Sequence, residues 1–131
     1  METRWKDLAP GLIRQRVIIE GTTREIVKPD LMKSYLLQLA KITGMERMRD
    51  PIIYSAHECG YGGWQHWRTS GSTIYSYPGE LSDNGIPLVT VDTYTCKPFS
   101  VQEAAEFTRE HLWLLEMCVR EIDVTAASRT T

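Results

Sequence analysis

Cysteine is scarce in this chain and poorly placed for cross-linking. Cys59, Cys96 and Cys118 are the whole complement. They form no CxxC pair, and an odd number leaves at least one thiol unpaired in any monomer, which excludes a disulfide-stapled scaffold. No run on the order of 18 apolar residues occurs, so a membrane-spanning helix is not expected, and no signal-peptide-like apolar stretch stands near the start. Together these features predict a reduced, cytoplasmic setting and no membrane partner. Charge of one sign is missing as well. Fifteen Lys and Arg stand against 17 Asp and Glu, a net charge of -2 with the basic residues scattered, so no electrostatic case exists for a nucleic-acid partner. Internal repeats and low-complexity blocks are absent.

What is present fits one folded domain. At 131 residues and 42% hydrophobic the chain can bury a core, but it is too short for two ordinary domains. Residues 1–11 end at Pro10-Gly11 and read as an N-terminal arm, 12–124 as the single domain, and 125–131 as a flexible tail. Ile13 to Glu20 is β-branched and stops at Gly21-Thr22, the pattern of a first strand. Pro29 then opens a helix in which Leu31, Met32, Tyr35, Leu36, Leu39 and Ile42 recur at helical spacing, and Gly44 is placed to end it.

Ile52 to Glu58 reads as a strand broken by Cys59-Gly60-Tyr61-Gly62-Gly63, and Trp64 to Arg68 as the next. Two further strands show side-chain alternation, Ser72 to Tyr77 and Leu88 to Cys96, joined through Pro78-Gly79 and Asp83-Asn84-Gly85 turn chemistry. Ser100 with Glu103 fits a capping box, opening a long final helix with an inward stripe of Ala104, Thr108, Leu112, Leu115, Val119 and Ile122. The order predicts an α+β two-layer sandwich, an antiparallel sheet of about four or five strands with two helices packed on one face. Alternation puts Thr73, Tyr75 and Tyr77 on one face, and Leu88, Thr90, Asp92, Tyr94 and Cys96 on one face. Hydroxyls, phenols, a carboxylate and a thiol can then meet on a surface that no helix covers. Burying its aromatic residues against a second copy would give a homodimer or a higher homo-oligomer.

The runs STIYSYP and LVTVDTYTCKPFS, with a helix after them, resemble the short bacterial and archaeal S-adenosylmethionine decarboxylases. That family shows a Gly-containing strand leading to Glu-Ser-His, then Thr-Ile-His with Pro shortly after, then a Val-Asp-Val-Tyr-Thr-Cys strand. The likeness runs from about Leu12 to Leu112 and is strongest from Gly62 to Pro98. It implies a two-layer sandwich that dimerises through its sheets, with active sites near the interface. It also implies a pyruvoyl group, the electron sink for decarboxylation, made when the chain cuts itself just before a serine. On this alignment the serine is Ser70, and Cys96 is the proton donor to the decarboxylated carbon.

The departures carry as much information. Thr69 stands where the family has Glu, Gly71 where it has His, Tyr75 for the His of Thr-Ile-His, and Gly62 for a Ser in the earlier strand. The family's Ser and His at the last two positions assist self-processing. A phenol, which ordinarily titrates at about pH 10, is a poor base for that step at neutral pH. Cleavage between Thr69 and Ser70 is therefore expected to be slow or absent, and no cofactor is expected unless Ser70 is converted.

Without a pyruvoyl group, S-adenosylmethionine can still break down, because its own carboxylate can attack the γ carbon and expel methylthioadenosine. That reaction needs a folded substrate and aromatic walls for the sulfonium more than it needs a cofactor. Ser70, Tyr75 and Cys96 are the candidate catalytic residues. Trp64, Tyr77, Arg68 and Glu58 are the candidate substrate contacts, with Arg68 for the carboxylate. His57, Cys59, His66 and Cys96 match no zinc spacing, so no metal is expected. The expected function is thus an S-adenosylmethionine-binding lyase without pyruvoyl. The alternatives are an active pyruvoyl decarboxylase of S-adenosylmethionine or an amino acid, cut before Ser70, and a non-catalytic ligand-binding or partner subunit.

Overall fold

The computed structural model of the protein describes residues 3–124, so the tail expected at 125–131 lies outside the described residues. The chain forms β1 (Gln15–Thr22), α1 (Pro29–Thr43), β2 (Ile52–Ser55), β3 (Tyr61–Trp67), β4 (Ser70–Tyr77), β5 (Leu88–Thr95), α2 (Val101–Leu112) and β6 (Glu116–Asp123). The strands make one antiparallel sheet in the order β2-β3-β4-β5-β1-β6. Both helices pack on one face, giving the expected α+β sandwich with six strands rather than four or five.

α1 starts at Pro29, whose fixed φ suits a first helical turn, and ends on Gly44 in the left-handed region. It lays Met32, Tyr35, Leu36 and Leu39 on the sheet, against a buried set that includes Val17, Ile19, Trp67, Ile74, Val89 and Val91. α2 is capped by Ser100, whose hydroxyl accepts the Glu103 N–H at 3.1 Å. The helices are tied by a hydrogen bond of 2.7 Å between the Tyr35 and Thr108 hydroxyls; burial pushes the Tyr35 phenol pKa up, keeping it neutral.

The long final helix is corrected. α2 stops at Leu112, Trp113 takes a left-handed cap at φ 60°, and the chain turns to pair with the free edge of β1, from Thr22 opposite Glu116 to Gln15 opposite Asp123. Leu115 and Val119, read as an inward stripe, are 57% and 40% exposed. The physical reason is twofold. β1 without β6 would leave a row of unpaired backbone groups, and Val119 and Ile122 suit a strand as well as a helix.

The strand breaks at Ile52 to Glu58 and Gly62-Gly63 are corrected too. β2 ends at Ser55, Glu58 sits in a 3-10 turn (His57–Cys59), and both glycines lie inside β3. Gly63 is there because a Cβ would come within 2.9 Å of the Ile53 and Ile74 side chains, so the core needs the space a side chain would take.

The second face of the sheet has no helix. It presents Trp64, Tyr75 and Tyr94 at 38%, 45% and 37% exposure. The N-terminal arm crosses part of it: Trp5 donates its indole N–H to the Val124 carbonyl at 2.8 Å, and Asp7 pairs with Arg14 at the entry to β1. One end of the face is thus roofed while the other stays open.

Candidate functional site

The register of the sheet builds a site under that roof. His66 on β3 lies opposite Gly71 on β4, Gly71 opposite Tyr94 on β5, Tyr94 opposite Arg16 on β1, and Arg16 opposite Ile122 on β6. The next row on the same face runs through Trp64, Thr73 and Asp92. These residues, with Ser70, Val124 and Trp5, line a cavity of about 790 Å³. That volume suits a metabolite of nucleoside size.

The floor carries one ion pair. Arg16 Nε donates to Asp92 Oδ1 at 2.9 Å and Nη2 to Oδ2 at 2.6 Å, a bidentate fork between diagonal neighbours on β1 and β5. The hydrogen bond and charge of Asp92 raise the Arg16 pKa, so the guanidinium stays charged. Both side chains remain open to the cavity, at 42% and 35% exposure. The walls are aromatic. Trp64 tilts against His66 with ring centres 5.9 Å apart.

Gly71 is what admits the Trp64 indole. A Cβ at this position would stand 3.0 Å from the indole and 2.8 Å from the Gln65 carbonyl. A side chain at position 71 would press first on the Gln65 carbonyl and would crowd the indole from its present place.

Of the residues singled out in the sequence, Trp64 and Ser70 line this cavity. Ser70 stands at its edge, its hydroxyl donating a long bond to the Arg68 carbonyl at 3.4 Å. Cys96 and Arg68 lie in an adjoining recess of about 240 Å³ with Met45, Glu46, Thr69 and Lys97. Cys96 falls one residue past the end of β5, and its sulfur is 3.1 Å from the Thr69 hydroxyl, beside the Thr69–Ser70 bond. Arg68 is largely exposed and pairs with Glu46 at 3.5 Å.

Tyr75 and Tyr77 share the open face, with ring centres 6.4 Å apart, but lie outside the cavity. Tyr75 is five positions from Ser70 along β4, about 16 Å at the usual strand rise. Its cross-strand partner is Gly62, so the two positions the family uses for processing face each other at a distance from Ser70 of the same chain. Glu58 is exposed in the β2–β3 connection, at the end of the sheet away from Ser70. Among the described residues no three His, Cys, Asp or Glu gather as metal ligands would.

Sequence reasoning did not select Arg16, His66, Asp92, Tyr94 or Trp5. Alternation had put Asp92 and Tyr94 on a shared face. Arg16 and Asp92 are 76 positions apart, and only the β1–β5 register joins them.

Comparison with known proteins agrees with this architecture. No curated protein sequence matches the chain. Among solved structures, the crystal structure of the adenosylmethionine decarboxylase from Aquifex aeolicus VF5 superimposes with a TM-score of 0.66 at 16% identity, covering 86% of this chain and 90% of that one. At that identity the likeness speaks for the fold. The model of the S-adenosylmethionine decarboxylase family matches residues 17–124, from the third residue of β1 to one residue past β6. A match across that much of the chain, on a sandwich of the same build, means that the protein belongs to the S-adenosylmethionine decarboxylase family.

Proposed function

We propose that the protein binds S-adenosylmethionine, or a closely related amino-acid substrate, in the cavity on the open face and cleaves it as a lyase without a pyruvoyl group. The observation that carries this reading is the Trp64 indole resting over Gly71, where the family has a histidine. The site beside Ser70 has exchanged a titratable ring for an aromatic wall. Trp5, Trp64 and Tyr94 offer π faces to a sulfonium, each good contact contributing about 0.5–2 kcal/mol.

The residues around Ser70 fit the making of a pyruvoyl group poorly. Gly62 supplies no hydroxyl, and Tyr75 replaces the base. The reaction that needs no such group is internal displacement. A substrate carboxylate oxygen forms a bond to the γ carbon, the carbon–sulfur bond breaks, and its electron pair goes to sulfur, giving homoserine lactone and methylthioadenosine. The step consumes no proton and no oxidant, and the cavity contributes by holding the two ends together. Ser70 would line the reacting region, with Cys96 in the recess behind it. Tyr75 and Tyr77 are proposed to act where a second copy covers the exposed aromatic residues of the open face, as a homodimer.

One observation favours a second reading, an active decarboxylase cut before Ser70. Thr69 is β-branched yet held at φ 60°, a conformation that costs about 1–2 kcal/mol and that cleavage of the Thr69–Ser70 bond would relieve. Three free cysteines suit a reduced, cytoplasmic setting in either case.

Incubating the purified protein with S-adenosylmethionine and separating the products discriminates these functions. Methylthioadenosine with homoserine lactone is the expected result. Released CO2 would support the decarboxylase, and an unchanged substrate would leave only a binding role.

A further inference from the structure

We infer that the Arg16–Asp92 pair is the docking point for the zwitterionic head of an α-amino acid, and that it gives the cavity its preference for ligands that carry such a head group. The inference rests on the proposed use of this cavity and names the feature of the ligand that the cavity selects. Four observations carry it. Arg16 and Asp92 are the only lining residues with fixed charges among the described residues, and the rest of the wall is mostly Trp64, Tyr94, Trp5, Ile122 and Val124. In such surroundings these two groups are the charged anchors available to a ligand, one complementary charge for each end of a zwitterionic head.

The pair is also not a buried structural tie. Both side chains keep a third or more of their surface open to the cavity. Their fork employs Nε and Nη2 of Arg16, so Nη1 takes no part in it, and each carboxylate oxygen can accept a further bond. Finally, the two charges are fixed at contact distance, the spacing at which an α-ammonium and an α-carboxylate sit on one carbon. The head group can lie antiparallel to the pair, its carboxylate on Arg16 and its ammonium on Asp92, closing a ring of four alternating charges. That placement leaves the rest of the ligand to extend along the aromatic walls, and it gives Arg16, rather than the exposed Arg68, the substrate carboxylate.

Calorimetric titration of the full chain with S-adenosylmethionine, S-adenosylhomocysteine, methylthioadenosine, methionine and ornithine tests this. Both adenosyl amino acids are expected to bind at least about 10-fold more tightly than methylthioadenosine, which has the same adenosyl thioether but no head group. Arg16→Gln and Asp92→Asn should each remove that preference. The reversed pair, Arg16→Asp with Asp92→Arg, keeps a salt bridge across β1 and β5; it should melt near the wild-type temperature yet bind the amino acids on the order of 10-fold more weakly. Binding of methionine or ornithine but not of S-adenosylmethionine, with the same dependence on the pair, would sink the proposed substrate while supporting the head-group site. Equal affinity for methylthioadenosine, wild-type affinity in the reversed pair, or no binding by any of the five ligands would overturn the inference.

Discussion

The two faces of the sheet are made by the same strands and obey different rules. On the covered face, Val17, Ile19, Ile74, Val89 and Val91 alternate into contact with Met32, Tyr35, Leu36 and Leu39, and all are essentially without solvent contact. On the opposite face, the residues one position along carry an ion pair, the Thr73 hydroxyl and large aromatic rings around a cavity. One face is filled, and the other keeps a cavity open, which we propose holds the ligand. The two should therefore respond differently to substitution: the covered face through stability, the open face through ligand affinity.

The largest effect is expected from emptying the filled face. Leu39→Ala removes a fully buried side chain between α1 and the sheet, and should cost about 2–5 kcal/mol, read as a lower melting temperature. Below its melting point, this variant should keep its affinity for S-adenosylmethionine. A large loss of binding in folded Leu39→Ala would blur the separation between the faces.

The reverse case is Trp64→Ala. It should weaken binding of a sulfonium ligand by about 2- to 30-fold while costing less stability than Leu39→Ala. Gly71→His sharpens this test, because its side chain must displace the indole and should mimic the loss. Binding at the wild-type level by both variants would remove the indole from the site.

A smaller change is expected where β3 turns into β4. Thr69→Gly relieves a left-handed backbone at some cost in unfolded-state entropy, for a net gain of about 0.5–1 kcal/mol by thermal or denaturant unfolding.

The smallest effect belongs to the outer side of the helical layer. Burial lowers the pKa of His111, whose Nε2 lies 3.0 Å from Ser34 Oγ, so the neutral ring is preferred in the native state. The unfolded chain then binds the proton more readily. Stability should be fully present above the unfolded pKa of about 6.5 and decline as pH falls below it. His111→Gln should flatten that slope. Ligand affinity in the distant cavity should not follow it.

The same contrast explains what could be read in advance. The covered face writes itself into the sequence as periodicity, which is why α1 between Pro29 and Gly44, the strand ending at Tyr77, the next one to within a residue of its end at Thr95, and the Ser100 cap were all legible. The end of α2 was not, because its left-handed cap is a tryptophan, Trp113, with no glycine to mark it. The helical spacing of Leu112, Leu115, Val119 and Ile122 is coincidental in a segment that the vacant edge of β1 draws into the sheet.

The cavity we propose as the site was legible in part. Ser70, Trp64 and the Cys96 region could be found because they sit in a contiguous motif. Arg16 and Trp5 could not, because their roles depend on strand register and on the path of the arm, which are long-range properties. Tyr75 was legible as an open-face residue but not as one separated from Ser70 by most of a strand.

We propose that a decarboxylase-family fold has here kept its ligand cleft and lost the means of making a pyruvoyl group. Intact mass of the freshly purified protein tests it most directly. A single unmodified chain, with serine at position 70, is the expected result. Two fragments divided between Thr69 and Ser70, the second beginning with a pyruvoyl group, would contradict it.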